Sequence, residues 1–389
     1  MLENAQITES VLRLKSSMEQ DDYKGFDPYD GLQSPVFRLP ILCSNHTVRF
    51  LAQQAIKRSP LNLRSLLGIS KGENPVTLGL VIQSHVHLKR AGLLDDFAPT
   101  RALVQRLIAM RSPGYAFTCW GYDFPWASKH AEIPAYGPTV VATGIIANAL
   151  FLFWEETGCE QSAELVCESC DFVTNSLFRT VVKTGGFVFS YSPFDQEAVL
   201  NASMKAVRLL SQGHTLKREK GYLDLAKAAL KPVLATQRSD GSWPYSFRKQ
   251  GTWTDNYHSG YILDCIDEYV RHSGDELPKP SLERGLSFYQ THFIGSNGRP
   301  NFYSNRAGQA DCTAGGQTLL TLSRFGKFDK AKQVAGWMIL NMQDKKGHFH
   351  YRKNNCVTNA TNFMRWSNAW MLAGLSALLA TDKKKEDMP

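Results

Sequence analysis

The sequence predicts an all-α fold, an (α/α)6 toroid of six helical hairpins with short β-hairpins in the loops at one mouth. Three observations predict it. A unit recurs with its punctuation intact: Gln237-Arg-Ser-Asp-Gly241-Ser-Trp243-Pro-Tyr245 and Gln343-Asp-Lys-Lys-Gly347-His-Phe349-His-Tyr351 both read Q-x-x-x-G-x-aromatic-x-Tyr, and Gly185-Gly186-Phe187-Val188-Phe189 is a partial copy. Segments that interleave Ala, Gly, Ser and Thr with Leu, Ile and Val at helical spacing begin near Pro75, Pro138, Ala198, Asn256, Ala310 and Thr361. Between them, near residues 97–111, 160–180, 219–237, 279–293 and 328–342, lie helical patterns more polar on one side.

The small-residue segments suit an inner ring, where helices approach closely, and the one-sided segments suit an outer ring. Each repeat of roughly 50 to 65 residues is too long for a common two-helix solenoid. Ile7, Val11, Leu14 and Met18 mark one face of an N-terminal helix, and the segment from about His46 to Lys57 is expected to supply the first outer helix. Short strands are expected around Phe187, Trp243 and Phe349. The 389 residues exceed the roughly 250–300 of a usual single core, yet no Pro/Gly/Ser-rich linker divides them. A closed ring reconciles the two, giving one toroid domain over 41–381, an extension over 1–40 packed on it, and a charged tail over 382–389.

No apolar run long enough for a signal peptide or a bilayer span is read from the sequence. The eight cysteines are scattered singly except Cys167 and Cys170, which fits a reducing compartment and predicts a cytoplasmic location. Cys167 and Cys170 share a helix face and read as half-buried thiols. The formal net charge of +8 favours an anionic partner. Lys129, Arg306, Arg352 and Arg365 carry that signal best, because they sit in or beside loops entering inner helices. The positives form no single basic run and no nucleic-acid-binding motif is present, so nucleic acid is not expected.

In a toroid the loops from each outer helix into the next inner helix gather at one mouth. Here those loops hold the unusual residues, which predicts an aromatic-walled cleft on that face. Trp120, Tyr122, Trp126, Tyr136, Tyr191, Trp253 and Trp366 are its expected rings, suited to the apolar face of a pyranose. Trp243 and Phe349, at equivalent repeat positions, read instead as packing staples. The sharpest cluster is Trp253-Thr-Asp255-Asn-Tyr257-His258-Ser-Gly-Tyr261, at the start of an inner helix. Asp255 is a good N-cap there, His258 and Tyr261 share a helix face, and a carboxylate, imidazole and phenol at the rim of a cleft could transfer protons, with Asp255, His258 and Tyr257 the candidate catalytic residues. Asp123, fixed between rings in Gly121-Tyr122-Asp123-Phe124-Pro125-Trp126, is a further candidate acid or base. Arg306, Arg352 and Arg365 are candidate substrate-binding cations, the last two able to neutralise a carboxylate. No cofactor is expected, and no metal, since His258, Asp311 and Cys312 lack a recognisable ligand order.

Two local matches stand beside these readings. Gln237-x-x-Asp-Gly-Ser-Trp243 resembles the repeat motif of squalene and terpene cyclases, and Asp255-x-Tyr257-His258-Ser-x-Tyr261-x-Leu263 resembles the zinc-histidine segment of protein prenyltransferase β subunits. Over the whole length the chain resembles α/α-toroid proteins of bacterial surface-polysaccharide loci. The elements that carry this are Tyr23-x-Gly-x-Asp-Pro-Tyr-Asp-Gly31, Ser59-Pro-Leu-Asn-Leu-Arg64, Trp120-Gly-Tyr-Asp-Phe-Pro-Trp126, Trp253-x-Asp-Asn-Tyr-His-Ser-Gly260 and Met364-Arg-Trp366. Such proteins are similar in fold to glucuronyl C5-epimerases, unsaturated-uronide hydrolases and N-acylglucosamine 2-epimerases. The resemblance implies an enzyme acting on an anionic, uronate-containing sugar or oligosaccharide by epimerisation, elimination or hydrolysis. A terpenoid cyclase or prenyltransferase-like enzyme and a non-catalytic glycan-binding scaffold are the alternatives. If the reaction were hydrolysis, Asp123 and Asp255 would be the acid and base.

Overall fold

The structure is a computed structural model. It describes residues 2–39, 42, 45–128, 131–247, 251–306 and 308–386. Lys129, the expected boundary at 40/41 and the last three residues of the tail lie outside the described residues.

Helices dominate the chain in the order α1 (Asn4–Gln20), α2 (His46–Arg58), α3 (Pro75–Arg90), α4 (Ala98–Ala109), α5 (Val140–Thr157), α6 (Glu160–Ser176) and α7 (Leu200–Lys217). They continue with α8 (Lys220–Ala235), α9 (Asn256–Ser273), α10 (Lys279–His292), α11 (Cys312–Arg324), α12 (Phe328–Met342) and α13 (Trp370–Glu386). The inner helices α3, α5, α7, α9, α11 and α13 each pack on the next, and α13 returns to α3, closing the ring. Close approach requires small residues at the contacts. A Cβ on Gly316 of α11 would stand 2.4 Å from the Trp370 carbonyl oxygen, and one on Gly374 would stand 2.5 Å from the Gly316 carbonyl oxygen.

Inner helices start at one mouth, several of them on a capping side chain. Asn74, Thr139, Asp255 and Asp311 each accept a backbone N–H in the first turn of the helix they precede. The last inner helix enters through a π-helical turn over Met364–Ala369, an irregularity often found at functional sites.

The recurring Q-x-x-x-G unit has a mechanical explanation. Gln237 donates to the Gly241 carbonyl at 3.0 Å and to the Ser281 carbonyl at 2.8 Å, and Ser281 donates back at 2.6 Å. Gln343 repeats this with Gly347 at 3.0 Å and Ser10 at 3.1 and 2.8 Å. Both glycines hold a left-handed φ, +92° and +97°, and press against a carbonyl of the next outer helix, Arg284 or Arg13. The unit is a clasp between a mouth loop and the neighbouring outer helix.

That equivalence identifies α1 as the outer helix that completes the ring. Its buried face, Ile7, Val11, Leu14 and Met18, packs on α12 and α13. The segment expected to be the first outer helix, α2, instead lies over the mouth, against the 3-10 turn Asp30–Gln33 and the strand Trp126–Ala127, with Val48 and Leu51 exposed. Both segments carry helical apolar spacing, and only the pairing across the ring distinguishes them.

Strands are short: β1 (Lys24–Gly25) pairs β2 (Gly72–Glu73), β3 (Trp126–Ala127) pairs β4 (Glu132–Ile133), and β5 (Arg179–Val181) pairs β6 (Phe187–Phe189). A three-stranded sheet joins β7 (Ala310–Asp311), β8 (His350–Lys353) and β9 (Thr358–Asn362). The expected strand near Trp243 is only an isolated bridge between Val199 and Ser246. Trp243 is buried and donates to the Val233 carbonyl at 3.1 Å, and Phe349 is buried too, so both are staples. In contrast to the sequence reading, α5 is long and apolar enough to cross a membrane by length and composition, but it is an inner helix largely buried in the ring. Cys167 and Cys170 are buried, and burial raises both thiols above their ordinary range.

Candidate active site

At the mouth a cavity of about 450 Å³ opens among the loops and reaches down to the inner helices, within the ~300–1,000 Å³ of small-molecule sites. Tyr122, Trp126, Tyr191, Trp253 and Trp366 form much of its wall, as the loop chemistry predicts, joined by Tyr29 and Tyr245. Val141, Ile145, Asn201, Tyr261 and Trp370, all on inner helices, form its floor. The rings brace one another. Trp126 meets Tyr29, Tyr122 and Tyr191 edge to face at centroid distances of 5.6–6.3 Å, and Trp253 stacks on Tyr245 at 4.7 Å. Burial raises the hydroxyls of Tyr29 (to about 12), Tyr122, Tyr191, Tyr257 and Tyr261, so these phenols stay protonated donors at neutral pH.

His258 and Tyr257 line the cavity from the first turn of α9. Asp255 caps that helix and does not line the cavity; it stands behind the imidazole. One oxygen accepts the His258 backbone N–H at 3.1 Å and the other lies 2.7 Å from Nδ1. An ionised carboxylate can only accept, so the proton sits on Nδ1 and Nε2 keeps its lone pair. The same oxygen accepts the Trp253 indole N–H at 3.3 Å. Capping the helix and holding the imidazole are thus divided between the two oxygens of Asp255.

Arg365 also lines the cavity, but its fork is engaged. Nε and Nη2 donate to Asp27 at 2.6 and 2.8 Å, and the guanidinium lies 4.6 Å from the Tyr122 ring centroid. It is an ion-paired wall of the site rather than an open two-point clamp. Arg352 is not at the cavity; it donates to Asp311 at 2.6 Å and stacks near Phe302 and Tyr351. Arg306 lies at the exposed end of its loop against Tyr303. Trp120 is fully buried in the core, its indole donating to the Leu107 carbonyl at 2.8 Å. Tyr136 takes a left-handed φ of 58° outside the cavity, its backbone N–H donating to the Tyr122 carbonyl.

Asp123 sits apart, in a separate void of about 10 Å³ shared with Asp27, Asn74 and Thr77. It accepts from Asn74 at 2.6 Å, and burial, with Asp27 nearby, pushes its carboxyl up to about 6. The expectation that Asp123, Asp255, His258 and Arg365 line one cleft therefore holds for His258 and Arg365. The loop bearing Asp123 turns that side chain toward Asn74 while Tyr122 and Trp126 face the cavity.

Tyr29, Tyr245 and Trp370 line the cavity without having been picked out as cleft rings; Tyr29 and Tyr245 were within reach, since each lies inside a motif that the sequence itself marks out, whereas Trp370 sits in an apolar helical run with no such signal. Two buried donors at the cavity, Trp126 Nε1 and Asn201 Nδ2, have no partner among the described residues, a demand that a ligand could meet. Among the described residues no group of three or more His, Cys, Asp or Glu is placed to hold a metal. Asp311 instead caps α11, and Cys312 Sγ lies 3.5 Å from the Ser367 carbonyl.

No protein-family model and no curated protein matches the chain. Solved structures do match in fold. A cellobiose 2-epimerase from Bacillus thermoamylovorans superposes with a TM-score of 0.60 at 9% identity, covering 80% of this chain and 88% of its own. A GH76 α-mannanase from Bacteroides thetaiotaomicron gives 0.58 at 14% identity, with 81% and 87% covered. A polysaccharide lyase gives 0.58 at 7% identity, with 99% of both chains covered. The chain shares the (α/α)6-toroid fold of these carbohydrate-active enzymes.

Proposed function

We propose that this protein is a carbohydrate-active enzyme that abstracts a proton from an anionic sugar, a uronate-containing oligosaccharide, so as to epimerise or eliminate at the carbon beside the carboxylate. The observation that carries this reading is the Asp255–His258 pair at an aromatic cavity, with the imidazole Nε2 unpartnered among the described residues. Asp255 holds the tautomer in which Nε2 is basic and stabilises the imidazolium formed when it takes a proton. The protonated phenols around it would stabilise charge developing on the sugar carboxylate, and the rings would cover the apolar face of a pyranose. Tyr257 lines the same cavity, its ring centroid 4.1 Å from that of His258, and its phenol would return a proton or donate to the developing anion.

Hydrolysis by a pair of carboxylates fits less well. Asp255 is committed to His258 and Asp123 lies outside the cavity. Asp195 and Glu197 line the cavity only two positions apart on one loop rather than facing each other from separate elements, and Asp195 already accepts the backbone N–H groups of Tyr191 and Glu197 and the Ser192 hydroxyl. Epimerases and a polysaccharide lyase among the fold neighbours support proton abstraction, and the motif resemblance supports a bacterial surface polysaccharide as the source of the sugar.

The test is incubation with glucuronate- and galacturonate-containing oligosaccharides in D2O. Deuterium at the carbon beside the carboxylate, with retained or inverted configuration, supports epimerisation; an unsaturated product seen by ultraviolet absorbance supports elimination. Glycosidic cleavage to saturated products without exchange would overturn the reading.

A further inference from the structure

We propose that Asn201 and Lys205, one turn apart on α7, form an anion subsite in the floor of the cavity that receives the carboxylate of the substrate. The inference rests on the sugar-acid reading above and names the group that recognises the acid. A substrate carboxylate entering the cavity needs a cation that is not already spent. Arg365 gives Nε and Nη2 to Asp27, and Arg352 is paired with Asp311 outside the cavity. Lys57 is likewise engaged, donating to the Tyr29 hydroxyl and lying over that ring at 3.8 Å.

Lys205 differs. It is buried on an inner helix, and among the described residues its Nζ has neither a hydrogen-bond partner nor a carboxylate at ion-pair distance. Lys205 is not itself in the cavity lining; its ammonium rests on the face of Tyr261, 3.7 Å from the ring centroid, and that ring does line the cavity, so the amine reaches an anion there at the edge of Tyr261. One turn nearer the mouth, Asn201 lines the cavity, buried, with its Nδ2 unpartnered among the described residues. Residues four apart share a helix face. Two buried donors without acceptors on one face, one of them cationic, are what an anion would satisfy.

Tyr261 places the subsite relative to His258, since its ring centroid lies 6.1 Å from the imidazole centroid. Base and carboxylate subsite thus share one neighbouring phenol, within the short reach that abstraction of a proton beside a carboxylate requires. Burial, with Arg208 nearby, pulls the Lys205 amine down to about 7, so a bound anion would draw it back to the charged form. The charged and titratable groups around it are Arg208 on α7, Asp264 and Cys265 on α9, and Arg324 on α11; Asp264 is itself held by Gln317 and Thr321.

Two measurements test this. The first compares binding of methyl glucuronoside and methyl glucoside to the wild type, Lys205→Met and Asn201→Leu, each checked for an unchanged melting transition. The wild type is expected to prefer the acid at least ~10-fold, a preference that Lys205→Met abolishes and Asn201→Leu reduces. An undiminished preference in Lys205→Met overturns the proposal. The second follows the Lys205 amine by NMR of lysine-labelled protein as acetate is added, assigned by its loss in Lys205→Met. An upward shift of its titration supports the subsite even if no sugar binds, in which case the sugar reading alone falls. A titration indifferent to acetate and to the glucuronoside overturns the subsite.

Discussion

Nδ1 of His258 lies 2.7 Å from Oδ2 of Asp255, while Oδ1 of the same carboxylate holds the His258 backbone N–H at 3.1 Å. One side chain fixes both the start of an inner helix and the direction in which the imidazole presents its lone pair.

The two duties separate experimentally. Asn caps a helix about as well as Asp, so Asp255→Asn should leave the melting temperature within a few degrees. It should lower kcat at least ~10²-fold, because the amide can neither fix the tautomer nor stabilise the imidazolium. His258→Gln should lose as much activity. Turnover in D2O and thermal melts of both variants check this, and a large drop in melting temperature for Asp255→Asn would assign the residue to the fold alone.

Arg365 and Asp27, 338 positions apart, form a buried pair with two hydrogen bonds. Removing one partner strands a buried charge, so Arg365→Met and Asp27→Leu should each cost about 3–5 kcal/mol. The double variant should recover much of that loss. Denaturant titrations of the three variants read the coupling directly.

Asp123 gives a pH signature. Its folded-state pKa of about 6 lies above the ordinary 3.8, so the folded chain favours the protonated form. Its contribution to stability is fully present below the unfolded value and is lost as pH rises through about 6. Asp123→Asn should therefore melt a few degrees above the wild type at about pH 8, with the gap closing below about pH 4. Melting across that range checks the sign.

The outer ring is tested by two leucines. Leu14 of α1 is fully buried, whereas Leu51 of α2 is 59% exposed. Leu14→Ala should cost about 2–5 kcal/mol, and Leu51→Ala no more than about 0.5 kcal/mol. The reverse order would restore α2 as the outer helix.

These assignments show which physics a sequence carries on its face. The inner helices were legible because close packing demands small residues at helical spacing, and Gly316 against Gly374 is that demand met. The aromatic mouth was legible because loops rich in rings and hydrogen-bonding groups have no use in a core. What stayed hidden depends on pairing at long range. The apolar stripes of α1 and α2 look alike until one finds α12 and α13. Arg365 looks like an open clamp until Asp27 arrives, and Asp123 looks like a cleft residue until its loop turns it toward Asn74. Lys205 escaped notice because a lysine in a helix of small residues reads as surface until the ring closes around it.

The clasp between Ser10 and Gln343 spans 333 positions. During synthesis, then, the helix that emerges first among those described has no partner until nearly the whole chain has left the ribosome. Its stripe of Ile7, Val11, Leu14 and Met18 is exposed for that entire interval, a strong lure for a chaperone or for another nascent chain. Closure of the ring is the final step that long loop entropy allows, and a premature stop anywhere before α12 would release a curved, open stack with a sticky first helix.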